Sequence, residues 1–356
     1  MTTVPTRIRE LDSLRGIAAF AVLLFHFTYV NDAHRMAPFG LAAGKYGVEL
    51  FFVISGFVIF MTLERSGSVR QFAVSRIARL FPAYWAAIFC TASVVWAAGV
   101  GTADNLPPTA AGLGWNLSML QSFVDIPDID NSYWTLAVEL LFYAMVGTLL
   151  WVGRLGQIEW FCLIWLGVLI LFRIAHRQFH FTGVSAPILH FLEYGQFFIL
   201  GIVLYLARSG RARVLTLMVG LLALAISLFG RDGHLHLVAM AGYFAVTGLC
   251  ALLVGLAAAG LIPLLNWPPL LFLGDISYPL YLTHQEIGER VADAAYGRSV
   301  PPLACLVLAT TVVIAISWLI HKSVEVPGRR WLRSVLEPVA VHRPVAGAGN
   351  RTSRQT

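Results

Sequence analysis

Residues 9–27 read RELDSLRGIAAFAVLLFHF, an apolar run with an arginine near its start and a histidine deep inside it. Arg15 and His26 are eleven residues apart. At about 100° per residue that is three turns plus about 20°, so both lie on one face of a helix, about 16 Å apart along its axis. Asp12 falls on nearly the same stripe. A run this apolar is long enough to enter a bilayer, where an ionisable side chain costs about 2.5–3.5 kcal/mol on insertion scales and by default marks function. Three such groups on one line predict a membrane helix with chemistry on one face.

The rest of the chain agrees with a membrane protein. It is 58% hydrophobic and 12% charged, with mean hydropathy +0.74, where a soluble domain carries about a quarter charged residues. Apolar blocks predict an all-α polytopic protein of about ten spans, at 12–30, 47–63, 81–100, 133–152, 159–175, 188–207, 213–229, 238–260, 270–288 and 301–321. An even number of spans puts both termini on one side. If that side is the cytoplasm, 18 of the 25 lysines and arginines lie inside and 7 outside, which supports N-in and C-in. The net charge of +6 therefore follows topology and does not point to nucleic acid.

No small-residue cleavage site ends the first block, so an uncleaved first span is expected. The four cysteines all fall in apolar blocks without metal spacing, and are read as packed thiols. The transmembrane domain is expected over 1–336, with a disordered cytoplasmic tail at 337–356 and no soluble domain or metal site. The loop 101–132 is acidic and rich in Pro and Gly, belongs outside, and could cover an opening. Asn116 heads a glycosylation tripeptide of a kind common by chance.

With that topology, His26, Glu49, Glu139, His190, Glu193 and His284 share one layer in the outer half of the membrane. Glu49 and His190 sit at helix ends, where contact with interfacial water is an equally good account. Arg76 and Arg79 lie one turn apart before the third span. With Arg15, and less directly Arg7 and Arg9, they form a cationic mouth at the inner face. Positive-inside topology explains Arg65 and Arg70 on its own, whereas an i,i+3 arginine pair also suits a phosphate. A histidine in a dry site, with a carboxylate to hold its tautomer, is a general base for a hydroxyl. A long donor with a charged nucleotide head, such as a coenzyme A thioester, could place its phosphates at Arg15, Arg76 and Arg79 and its reactive end near His26.

Several stretches in order resemble the membrane-bound acyltransferase family 3, bacterial O-acetyltransferases of surface glycans and related acceptors. They are Arg15 and His26 in LDSLRGIAAFAVLLFHF, then GVELFFVISGFVI, SRIARLFPAYW, NSYWTLAVELLFY, SYPLYLTH and the Glu325–Pro327 pair. The likeness covers most of residues 8–330. It implies transfer from acetyl-CoA or another acyl-CoA to a carbohydrate or lipid-linked glycan acceptor, in a bacterial inner membrane. It implies a catalytic His26, an essential Arg15, a donor-side role for Arg76 and Arg79, and places for Glu139 and His284 near the reaction centre. Some members carry a fused extracytoplasmic domain that completes transfer, so a separate extracytoplasmic partner is one expectation here.

Two mechanisms stay open at this level. In direct transfer His26 takes the acceptor's proton, with Glu139 or Asp12 orienting or balancing it. In covalent transfer His26 or a serine such as Ser55 is acylated first. No serine sits in a recognisable nucleophile elbow, which favours the direct route. A proton-coupled glycan exporter is the rival from another class, since buried His and Glu serve that equally well. It is disfavoured by the cationic mouth and by the lack of matching broken spans in two halves.

Overall fold

In the computed structural model, residues 7–30, 39–98, 109–179, 185–229 and 237–336 are described. The expected tail at 337–356 lies outside them. Among the described residues the chain is helical with no strand, as expected. The helices are α1 (Arg9–Phe25), α2 (Gly47–Arg65), α3 (Val69–Ala98) and α4 (Ala110–Ser118). Next come α5 (Trp134–Trp151), α6 (Ile158–Phe179), α7 (Ala186–Arg208) and α8 (Val214–Ala225). The last are α9 (Leu237–Ala258), α10 (Pro268–Tyr296), α11 (Pro302–Ile320) and α12 (Val326–Leu336).

Among the described residues, eight helices are long and apolar enough to cross a membrane. Two of the ten expected spans fall short of that measure for different reasons. One is α8, which runs only 12 residues before a 3-10 turn, Ile226–Phe229. The other is α10, which is 29 residues long but carries Asp275, Glu286, Glu289, Arg290 and Asp293. Large apolar side chains stand outward on the bundle, among them Val214 at 74% exposure and Leu171 and Leu221 at 68%. Such a belt suits a lipid solvent, in which every backbone polar group must be paired internally.

Helix ends follow local chemistry. Proline opens α7, α10 and α11, where a missing N–H costs nothing. Gly153 and Gly210 stop α5 and α7 at φ +69° and +71°. Each lets two following N–H groups fold back on the last turn, such as Gly153 to Leu150 and Arg154 to Leu149.

The core is built on close backbone contact. A Cβ placed on Gly16 would lie 2.5 Å from the backbone N of Gly274, and Gly288 meets the Phe27 ring. Contacts 16–274 and 27–288 run in the same sense, so α1 and α10 are parallel. The α2–α7 pair is parallel too, with Gly56 against Phe198 and Gly201 against Val53 and Phe57. Small residues let these backbones approach, which is the usual route to tight helix association in lipid.

The segment 101–132 is not all loop. Helix α4 caps on Thr109 and hangs on α3, where the Trp85 indole N–H donates to the Leu117 carbonyl at 3.0 Å. Asn116, of the glycosylation tripeptide, is buried, donating to Gly112 and Pro127 carbonyls and accepting from the Ile129 N–H. That side chain is a structural strut.

Candidate active site

The α1 stripe reaches its chemistry where the helix changes pitch. Residues His26–Val30 are wound as a π-helix, a local widening often found at functional positions. The His26 ring lies 5.1 Å from that of His284, at 61°. The parallel α1–α10 packing makes this meeting possible, because both chains rise to the same level together.

His284 is fully buried. Its Nδ1 is 2.8 Å from the Tyr281 carbonyl. A carbonyl only accepts, so Nδ1 carries the hydrogen and Nε2 is left with a lone pair. That Nε2 is buried and has no partner, and neither does Nδ1 of His26. Two imidazoles therefore lie side by side with unused nitrogen atoms, and such orphaned groups call for an explanation.

A buried carboxylate holds this arrangement from the side. Asp130 is 0% exposed. Its Oδ1 accepts from the Ser132 N–H and hydroxyl, and its Oδ2 accepts from the Glu286 backbone N–H inside α10 at 3.1 Å. The Ser132 hydroxyl also reaches the Tyr281 carbonyl, the group that fixes the His284 tautomer, at 3.2 Å. Burial pushes the Asp130 carboxyl up to about 6, against the lowering effect of those three donors.

Below the histidines lies a cavity of about 40 Å³, room for a water molecule or so. Arg15, Ser55, Thr135, Glu139, Tyr278 and Tyr281 are among its walls, and neither histidine reaches it. Glu139 accepts from the Tyr143 hydroxyl at 2.8 Å and from Ser55 at 3.2 Å. Tyr281 separates the two compartments: its ring is 5.6 Å from His284, and its hydroxyl pairs with Thr135 at 3.0 Å.

The expected site residues thus divide into groups. His26 and His284 come together. Glu139 belongs with Arg15, which feels its charge, and its partners are Ser55 and Tyr143. Asp12 is held in an ion pair with Arg7 at 2.6 Å, and Arg7 also reaches Asp275 at 2.7 Å. Fourteen residues separate Asp12 from His26, about 21 Å of helix, so the two do not meet. The His190 ring lies 4.5 Å from that of Trp134, tilted by 51°, and Gln196 accepts from Arg173. Glu49 is buried on α2.

The cationic end is more concentrated than the spacing suggested. Arg76 is 9% exposed, its guanidinium 5.9 Å from the ring centres of both Phe72 and Tyr143. Arg79 is close enough to influence Arg15, Arg76 and Arg329. Among the described residues no carboxylate forms an ion pair with Arg15, Arg76 or Arg79. Clustered arginines without counter-ions are suited to an anionic ligand. No group of three or more His, Cys, Asp or Glu able to hold a metal occurs among the described residues.

Asp130, Tyr281, Tyr143 and Arg329 escaped the sequence reading. An aspartate before an apolar helix reads as an N-cap, which Asp130 also is. Arg329 was counted only as a topology charge. Glu325, of the Glu-x-Pro pair, is buried on a second π-helix, His321–Glu325, and pairs with the His321 Nδ1 at 2.9 Å.

A family described as an acyltransferase domain matches residues 8–322. The exopolysaccharide production protein ExoZ of Rhizobium meliloti (strain 1021) is 29% identical over 333 residues, 86% of this chain and 96% of that protein. The acyltransferase MdmB of Streptomyces mycarofaciens is 26% identical, over 97% of this chain and 96% of that protein. A provisionally assigned peptidoglycan O-acetyltransferase, YrhL of Bacillus subtilis (strain 168), is 31% identical over 41% of this chain and 24% of its own length. No solved structure matches. With its near full-length family match and its helical membrane architecture, the chain belongs to acyltransferase family 3 and is an acyl-transferring membrane enzyme.

Proposed function

We propose that the enzyme moves an acyl group, most simply acetyl, from cytoplasmic acetyl-CoA or another acyl-CoA to a hydroxyl of an extracytoplasmic or lipid-linked carbohydrate. One observation carries this: Arg15, clustered with Arg76 and Arg79 of α3, and His26, against His284 of α10, lie at opposite ends of one α1 stripe, with Tyr281 and a small cavity between the two groups. The relatives named for exopolysaccharide production and for peptidoglycan O-acetylation support a carbohydrate acceptor. The lysine and arginine bias supports an arginine end facing the cytoplasm of a bacterial inner membrane.

In this scheme Arg15, Arg76 and Arg79 hold the donor's anionic head. His26 takes the proton of the acceptor hydroxyl as that oxygen bonds to the acyl carbon and the carbon–sulfur bond breaks. His26 then returns the proton to the departing sulfur, so the histidine ends as it began. The His284 ring, 5.1 Å away with a lone pair on Nε2, shares the charge of that imidazolium. Glu139 balances Arg15 and fixes Tyr143 and Ser55. Asp12 acts at the mouth, by holding Arg7. The cavity at Arg15 is too small for a thioester arm, so donor binding must move its side chains.

The test is mass spectrometry of surface glycans from cells with the gene, without it, and with His26→Ala. An acetyl-sized mass that appears only with the intact gene is expected. A normally inserted His26→Ala enzyme that still acylates its glycan would remove His26 from the mechanism.

A further inference from the structure

A histidine that takes a proton from an acceptor hydroxyl would take one from water equally well. The oxygen of water would then bond to the acyl carbon, the carbon–sulfur bond would break and the proton would pass to sulfur. The donor would be spent as free acid and thiol, with no acceptor modified. An enzyme with such a base must therefore hold the thioester away from it until the acceptor is seated.

One side chain stands where that separation has to be made. The Tyr281 ring is 5.3 Å from Phe51 of α2, edge to face at 71°, and 5.6 Å from His284. Phe51 and Tyr281 both line the Arg15 cavity. Tyr281 thus has that cavity on one side and a histidine on the other. It is gripped at two points by the chain that opens α5. Its hydroxyl pairs with Thr135 at 3.0 Å, Thr135 reaches the Ser132 carbonyl at 3.1 Å, and the Ser132 hydroxyl reaches the Tyr281 carbonyl at 3.2 Å. Beside this clamp α10 is weakened, because Pro279 has no N–H to offer the Asp275 carbonyl. The α1–α10 seam is tight at Gly274 and Gly288, and Tyr281 lies midway between them. The ring can therefore swing while the seam stays shut.

We propose that Tyr281 is a gate that reserves the acyl group for the acceptor against water. Closed against Phe51, it keeps the acyl end on the arginine side, away from His26. Acceptor binding at the histidines opens it, since the His284 Nδ1 is tied to the Tyr281 carbonyl at 2.8 Å and moves with it. The proposal rests on the acyl-CoA donor and the His26 base argued above, and adds what keeps the two apart. A tyrosine with a packing role alone would not divide a polar cavity from two imidazoles with unpartnered nitrogens.

The test uses the full-length enzyme in nanodiscs, with acetyl-CoA as the probe and no acceptor present. Tyr281→Ala removes the ring, and Tyr281→Phe and Thr135→Val release the clamp but keep it. Release of free CoA thiol, acetyl-CoA affinity by calorimetry and melting temperature are measured together. Acceptor-free hydrolysis should rise about tenfold or more in Tyr281→Ala, and less in the two clamp variants, with acetyl-CoA affinity nearly unchanged. The gain should vanish when His26→Ala is added. A folded Tyr281→Ala enzyme that binds acetyl-CoA yet hydrolyses it at the wild-type rate overturns the gate. So does a gain that survives His26→Ala, because the leak then bypasses the base. If Tyr281→Ala melts early, the clamp variants decide, and wild-type hydrolysis in both overturns the proposal. A wild-type enzyme that does not bind acetyl-CoA sinks the donor reading instead, an outcome distinct from a gate that fails with acetyl-CoA bound.

Discussion

Two helix pairs in this enzyme are built to opposite rules. The α1–α10 pair is closed at Gly16 and Gly274, where backbone touches backbone. The α3–α5 pair is held apart by Phe72, Tyr143 and Arg76, and leaves a groove of about 480 Å³. The closed pair sets two imidazoles 5.1 Å apart and keeps them there. The open pair has room for something to enter. Glycine serves both: at Gly16 it removes a side chain that could not fit, and at Gly147 it leaves space unfilled.

The largest effect is expected at the end of the closed pair. His26→Ala should lower turnover by about 10²–10⁴-fold, the usual worth of a positioned general base. Acceptor-dependent release of free CoA thiol measures it, and a tenfold or smaller loss would place the base elsewhere. Next comes the seam. Gly16→Val should cost about 3 kcal/mol or more, because a Cβ there meets the Gly274 backbone and neither helix can yield. A Gly16→Val protein that melts like the wild type in detergent would erase the contrast with Gly147.

Asp130 should show itself through pH. Its carboxyl titrates at 3.8 in an unfolded chain and at about 6 when folded, so the native state holds a proton that the unfolded state releases. The stability it contributes is complete below about pH 4 and lost as pH rises through 6, a change of about 3 kcal/mol. Asp130→Asn should flatten the melting temperature in that window relative to wild type. An identical slope in both proteins would mean that another carboxyl, Glu286 being nearest, carries it.

At the open pair, Arg76→Ala with Arg79→Ala should raise the acyl-CoA KM by about 10–100-fold, the worth of one or two charge-assisted bonds. The acceptor KM should hardly move. Arg329→Ala should have the smallest effect, a few-fold rise in the same constant, since Arg329 is half-buried and acts beside Arg79. A larger effect at Arg329 than at Arg76 would move the donor's head away from Arg76 toward α12.

The sequence alone was enough for the class of protein. Blocks of apolar residues at membrane length have few stable outcomes, because lipid leaves the backbone no partner but itself. The Arg15–His26 stripe was legible because helical periodicity is local: eleven residues on one helix define one face. His284 could be placed near His26 only by depth, and Glu139 was grouped with them on the same ground. Depth could not tell His284, which meets His26, from Glu139, which meets Ser55, Tyr143 and Arg15. That distinction depends on how α1, α5 and α10 are rotated and spaced, and rotation is set by glycine contacts such as 16–274 that have no periodic signature. Asp130 shows the limit most clearly. Its local pattern reads as a helix cap, and only the fold of the 109–132 segment brings its second oxygen to Glu286 in α10, 156 residues further on. Local order is written in neighbouring residues. The partners of a buried polar group are decided by which backbones can approach, and that is a property of the whole assembly.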